Sequence, residues 1–276
     1  MTKTPDKKIT DENIGTYIEL FSGKSGFEGQ DGGMVTALLV WGMKKDVFDS
    51  AVLVERKDSG DAEAVIARGI DDIISARGTK YFKVDTASKL KELLDQGSKR
   101  IAVVCTPCQV RAVRKIQENL KHNSSNVELT IIGLFCLESF SCIRLESEIK
   151  RLLGVDLNSA KKSQIHKGVF TVHLGEKEYS CKVSDLSYAT EKGCAVCSDF
   201  SAQLADISIG SVGSQRGYST VIVRTATGRT LLEGLNFEKT DAEKSEIKKL
   251  ARFKKERAEK RARIFRQQTG TFGKPT

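Results

Sequence analysis

Val103-Val104-Cys105-Thr106-Pro107-Cys108-Gln109 begins as the end of a β-branched apolar run and finishes as the start of a helix. Pro107 has a fixed φ and no N–H to lose, which suits the first helical turn and presents Cys108 rigidly. A thiol at the carboxyl end of a strand sits where α/β proteins bind their ligands. Working outward, further β-branched runs span residues 14–20, 48–55, 64–68, 100–104, 127–134, 170–174, 205–209 and 220–225. Apolar residues at three- and four-residue intervals predict helices over 33–45, 88–96, 109–120, 140–153, 230–236 and 243–266. This alternation reads as an α/β (mixed α+β) chain whose mixed sheets, parallel in part, are flanked by helices.

Seven cysteines are present. Gly193-Cys194-Ala195-Val196-Cys197 repeats the Cys-x-x-Cys spacing of Cys105 and Cys108, and Cys136 stands between the two in Leu134-Phe135-Cys136-Leu137-Glu138. Such a pair lets two thiolates grip one metal centre from a single turn, with distant thiols completing the coordination. Spacing alone therefore permits zinc held by Cys105, Cys108, Cys194 and Cys197, and equally an iron-sulfur centre. An odd cysteine count and the lack of an apolar leader point to a reducing, cytoplasmic setting. The longest apolar stretch, 34–43, falls short of the roughly 18 to 20 residues that span a bilayer, so no direct membrane insertion is expected.

Glycine-bearing loops add a second theme. Gln30-Asp31-Gly32-Gly33-Met34-Val35-Thr36 precedes a helix, Gly210-Ser211-Val212-Gly213-Ser214 follows a strand, and Arg77-Gly78-Thr79-Lys80-Tyr81 is the third such loop. Each offers backbone N–H groups to phosphate, and Lys80 offers a charge for a phosphate or a flavin oxygen. None has Gly-x-Gly-x-x-Gly or P-loop spacing, and ordinary turn chemistry accounts for any one of them. His122, His166 and His173 lie at no metal-ligand spacing from a cysteine and receive no role.

The formal charge is +9, and residues 241–268 carry eleven Lys or Arg against five Asp or Glu, a net +6. No nucleic-acid-binding module accompanies that charge. Ile247, Leu250, Ala251, Ala258, Ala262 and Phe265 form a partial apolar stripe along this segment. The division expected is a flexible tail over 1–13, a catalytic body over 14–240 and a basic helix and tail over 241–276. The basic helix reads either as a docking arm or as a solvated surface.

Taken in order, Gln30 to Gly33 with Val35-Thr36, Gly78 to Tyr81, Thr106 to Gln109, Gly133 to Glu138, Gly193-Cys194 with Cys197, and Ala205-Asp206 followed by Gly210 to Ser214 carry a resemblance. The chain resembles the coenzyme F420 hydrogenase/dehydrogenase beta-subunit family over nearly its whole length. That resemblance implies one FAD, one 4Fe-4S cluster and a site for the 5-deazaflavin F420. It makes the chain an oxidoreductase subunit that moves electrons between a partner enzyme and that coenzyme. Carried over, the cluster ligands are Cys108, Cys136, Cys194 and Cys197, with Cys105 left out. Asp31, Gly32, Gly33, Thr36, Gly78, Thr79, Lys80, Tyr81, Thr106, Glu138, Gly210, Ser211, Gly213 and Ser214 line the flavin.

A deazaflavin exchanges hydride and a cluster exchanges single electrons, so FAD is the converter between them. The chain has no ferredoxin-like cysteine run, and the resemblance implies a cluster-bearing partner from a hydrogenase, heterodisulfide-reductase-type or formate dehydrogenase complex. The basic helix could then meet that partner or the acidic deazaflavin tail. Two alternatives stand beside this: a zinc-binding interaction module, and an FAD/iron-sulfur reductase acting on another acceptor.

Overall fold

The computed structural model describes residues 7–57, 60–122, 126–160 and 162–269. In chain order the elements are β1 (Ile9–Asp11), β2 (Gly15–Tyr17), β3 (Glu19–Lys24), α1 (Met34–Lys44), β4 (Ser50–Arg56), β5 (Ala62–Ala67), α2 (Ile70–Ser75), α3 (Thr86–Asp95), β6 (Arg100–Cys105), α4 (Pro107–His122), β7 (Glu128–Leu134) and α5 (Cys142–Leu153). They continue as β8 (Lys162–His166), β9 (Val169–Leu174), β10 (Lys177–Lys182), β11 (Ile207–Gly210), β12 (Ser219–Val223), α6 (Ala226–Thr230), β13 (Glu238–Thr240) and α7 (Lys244–Thr269).

The principal sheet has eight strands in the order β13-β3-β12-β11-β7-β6-β4-β5. Its heart, β4-β6-β7-β11, is parallel, and antiparallel pairs extend it on both sides. The fold is thus mixed α/β, with mixed sheets flanked by helices. Alternate residues of β6 serve opposite cores. Ala102 and Val104 pack with Leu38, Phe48 and Leu53 on one face, while Ile101, Val103 and Cys105 pack with Leu90, Leu93 and Val110 on the other. A strand covered on both faces must be apolar throughout, which is what its unbroken run reports.

Because β12 runs antiparallel to both β11 and β3, β3 points the same way as the parallel heart. The segments after β3, β6, β7 and β11 therefore emerge at one edge of the sheet, and the cysteine and glycine motifs lie there.

Several expectations change. The expected strand over 14–20 is two strands in different sheets: β2 pairs with β1, and β3 pairs with β12 and β13. Ile9–Asp11, assigned by sequence to the tail, form β1. The six-residue α2 is too short to show a period. β8 and β10 went unseen because Lys162-Ser163-Gln164-Ile165-His166 and Lys177-Glu178-Tyr179-Ser180-Cys181-Lys182 carry little apolar signal; backbone pairing to β9 makes them strands. A helix expected over 230–236 starts instead at Ala226, where Thr225 Oγ1 accepts from Gly228 N–H and caps it.

The basic helix docks rather than standing in solvent. Ile247 and Ala251 are buried with Ile14, Tyr17, Phe200 and Ile222, and Ala258 is buried further along. Phe265 of the expected stripe is exposed. No helix among the described residues is long and apolar enough to cross a membrane.

Arg224, at the end of β12, joins the pieces beneath α7. Its buried guanidinium donates to the carbonyls of Ile14, Thr16 and Ser201 and to the hydroxyls of Ser201 and Ser208. Arg224→Met would orphan those acceptors and should lower the unfolding free energy by about 3 kcal/mol, read from urea denaturation. Asp11 holds the amino-terminal hairpin to α7, 3.1 Å from Lys248 Nζ and 3.3 Å from Lys244 Nζ. Burial opposes its charge, but the N–H groups of Asn13 and Ile14 and the two ammonium groups prevail and bring its pKa to about 2. With the folded value below the ordinary 3.8, this contribution is complete above about pH 4 and is lost as pH falls toward 2. Asp11→Asn should therefore flatten the acid limb of stability over that window. Equal slopes in variant and wild type would remove the clamp.

Candidate functional site

β6 ends at Cys105, and α4 starts at Pro107 with Val110 N–H donating to the Thr106 carbonyl. Cys108 is left exposed in the first turn, where the helix offers unpaired N–H groups. Thr106 Oγ1 lies 3.5 Å from its Sγ. Cys105 points the other way. It is 3 % exposed among Val52, Leu90 and Val113, and burial, then the Cys108 thiol, push its own thiol far up. A Cys105–Cys108 pair gripping one ion, as spacing alone permits, is not formed.

Cys136 follows β7, its N–H bonded to the Phe200 carbonyl at 2.9 Å. That approach depends on Gly133: a Cβ there would lie 2.4 Å from Ala202 Cβ and 2.7 Å from Ala205 Cβ. Without it, the segment that continues from Cys197 could not cross β7 so closely. Cys194 and Cys197 lie on or beside a single 3-10 turn, Lys192–Val196. This turn is tied back by Glu191 N–H to Ser139 O and by Ser141 N–H to Ala189 O, each 2.9 Å.

Ser139 is the residue that sequence reasoning missed. Its N–H donates to Cys194 Sγ at 3.4 Å, and its hydroxyl lies 3.8 Å from Cys136 Sγ. Burial raises the Cys136 thiol to about 11 and raises Cys194 as well, with Lys254 opposing in both cases. Cys108 also acts electrostatically on Cys136 and Cys194, and Cys197 acts on Cys194. The structure thus gathers Cys108, Cys136, Cys194 and Cys197 in one neighbourhood. Among the described residues no three His, Cys, Asp or Glu side chains close on a single metal ion. Four thiols from three segments, with an N–H aimed at one sulfur, are the donor type that metal centres and clusters use.

Of the glycine loops, two come together and one does not. Gln30 Nε2 donates to Ser163 O in β8, and Tyr81 Oη accepts from Ile165 N–H of the same strand at 2.8 Å. Desolvation raises the Asp31 carboxyl, with Lys162 and His166 opposing, while burial and then Asp31 push Tyr81 up to about 12. Asp31 thus lies within electrostatic reach of Tyr81 and of Lys162 and His166 of β8. Gly33 needs its left-handed φ of 66° and lies against the Phe27 carbonyl. Gly32 N–H donates to Ser219 Oγ, and Thr36 is buried in α1. Gly78 and Thr79 are exposed. Lys80 Nζ donates to the carbonyls of Ala76 (2.5 Å) and Arg77 (2.8 Å), closing the end of α2, and burial lowers its pKa to about 8.

The third loop faces α7. Gly210 lies under the Phe135 ring, Ser211 is exposed, Gly213 meets Ile247, and Ser214 Oγ bonds Ser22 and Thr220. Glu138 is paired with Arg257 of α7 at 2.9 Å. A groove of about 570 Å³ lined by Asp49, Ser98, Lys99 and Glu128 lies at the opposite edge and contains none of these residues.

Two family models of the coenzyme F420 hydrogenase/dehydrogenase beta-subunit family match the chain, the amino-terminal one over residues 21–91 and the carboxy-terminal one over residues 98–251. The chain belongs to the coenzyme F420 hydrogenase/dehydrogenase beta-subunit family. It is thereby an oxidoreductase, and the family's business is F420-linked electron transfer. It is 33% identical to the coenzyme F420 hydrogenase beta chain of Methanothermobacter thermautotrophicus, over 90% of this chain and 94% of that one. Identity is also 33% to the coenzyme F420-dependent sulfite reductase of Methanocaldococcus jannaschii, over 87% of this chain but only 41% of that longer protein. A chain of the xenon-derivatized F420-reducing [NiFe] hydrogenase complex from Methanosarcina barkeri superposes with a TM-score of 0.86 at 31% identity, over 93% of this chain and 94% of that one.

Each of Cys108→Ser, Cys136→Ser, Cys194→Ser and Cys197→Ser should strip most of the iron from anaerobically purified protein, whereas Cys105→Ser should retain it. Equal loss at Cys105 would sink this ligand set.

Proposed function

We propose that this chain is the FAD- and cluster-bearing subunit that exchanges hydride with coenzyme F420 and single electrons with a partner subunit. The observation that supports the reading most is Ser139 set between Cys136 and Cys194, with Cys108 in electrostatic reach of both and Cys197 of Cys194. When bound, FAD supplies the conversion between two-electron and one-electron chemistry that F420 and a 4Fe-4S cluster require of each other. The protein's part is to hold and exclude. The four cysteines ligate the cluster, and Ser139 N–H bonds a ligand sulfur. Asp31, Gly32, Gly33, Gly78, Thr79, Lys80 and Tyr81 line the flavin side, with Thr36 behind the first loop. Thr106, Glu138, Gly210, Ser211, Gly213 and Ser214 complete the flavin lining that the family resemblance implies.

Asp31, half-buried and near Lys162 and His166, gives this side a titratable carboxyl. Lys80, held by two carbonyls, supplies an ammonium that deprotonates easily. Zinc fits less well, since its two-pair site would need the thiol of Cys105, which is sealed in the core. The solved relative favours a hydrogenase partner, and a heterodisulfide-reductase-type partner has no such support. A second acceptor is favoured by one observation: the matching stretch also lies within a longer relative named as a coenzyme F420-dependent sulfite reductase. Seven free thiols suit a reducing, cytoplasmic setting.

The test is the visible spectrum of anaerobically purified protein before and after reduced F420 is added. Bleaching of flavin and cluster bands together, with oxidised F420 appearing, is the expected result. A colourless protein that retains zinc would overturn the reading, and flavin that ignores F420 would move it to another acceptor.

A further inference from the structure

The helical stripe that docks α7 runs Ile247, Ala251, Lys254, Ala258, and its third position is a lysine. Lys254 is 1 % exposed, and its ammonium donates to the Cys136 carbonyl at 2.6 Å. It forms no ion pair with a carboxylate among the described residues. A buried ammonium without a counter-ion is costly and needs a compensating negative charge.

The nearby carboxylates are already engaged. Glu138 is held by Arg257 at 2.9 Å, and Arg257 also donates to the Leu137 carbonyl. Glu191, beside the 3-10 turn, is held by Arg144 at 3.2 Å and by Lys83 at 3.9 Å. The Lys254 charge acts on both Cys136 and Cys194 in the sense that favours the thiolates.

We infer that Lys254 is the buried counter-charge of the four-cysteine centre and sets its reduction potential. This rests on the functional reading above. Adding one electron makes a four-thiolate cluster one unit more negative, and a fixed cation close by favours that state over the oxidised one. Lys254 is a positioning residue as well, because its hydrogen bond holds the loop that carries Cys136. Three substitutions separate the roles: Lys254→Arg keeps the charge, Lys254→Gln keeps a donor without charge, and Lys254→Met removes both.

The experiment is a potentiometric titration of the cluster, followed by low-temperature EPR, with iron content measured on each protein. The potential should fall in both Gln and Met variants and stay close to wild type in Arg, with iron retained. If the neutral variants lose their iron while Arg keeps it, the charge is required to hold the cluster and the inference stands. A Gln variant with full iron and the wild-type potential would overturn it, as would equal iron loss in all three, which would make Lys254 a shape requirement. Wild-type protein without iron would overturn the functional reading and this inference with it.

Discussion

A strand covered on both faces leaves its polar chemistry only one place, its ends. β6 is such a strand, pinned between β4 and β7 with Ala102 and Val104 facing one core and Ile101, Val103 and Cys105 the other. Any hydrophilic side chain along it would be buried without a partner, at a cost of roughly 2 to 7 kcal/mol. Thr106 is the first residue free of that constraint, and Pro107 and Cys108 follow at once. β7 and β11 are buried likewise, with Thr130 and the hydrogen-bonded Ser208 as their polar exceptions, and the segments after them emerge along the same edge.

Convergence then depends on how closely the loops approach. Gly133 admits the chain that follows Cys197, and Phe135 lies over Gly210. Small residues at these crossings bring distant segments to within hydrogen-bond range of Ser139. Packing rather than phosphate binding accounts for the contacts of Gly32, Gly210 and Gly213, although their place at the edge is compatible with both. α7 closes the arrangement from outside, with Lys254 on the Cys136 carbonyl and Arg257 on Glu138 and Leu137. The helix that the sequence left as either a docking arm or a solvated surface thus also packs against the segment that carries Cys136.

The division of labour between cysteines follows from burial. Cys105 and Cys108 have the spacing of a metal-binding pair, yet the strand-to-helix transition between them turns the first into the core and the second toward solvent. Spacing describes how far apart two thiols are along the chain. It does not report that the strand period of two and the helix period of 3.6 aim them apart.

The amino-acid sequence by itself determined the α/β class, a sheet parallel in part and the strand-to-helix placement of Cys108, because hydrophobic period and local turn chemistry are written in neighbouring residues. Family motifs in it also named the four cysteines. Only the tertiary structure decided that β8 and β10 are strands, since their stability comes from backbone pairing with β9 and not from apolar content. It alone placed Ser139 between two thiols and brought the first two glycine loops against β8. It alone revealed Lys254, although a lysine filling a gap in the stripe of Ile247, Ala251 and Ala258 was the one available signal. Period tells which face of an element is buried. What that face meets is settled by contacts between residues far apart in the chain, from 55 positions for Ser139 and Cys194 to 118 for Cys136 and Lys254, and no local pattern records them.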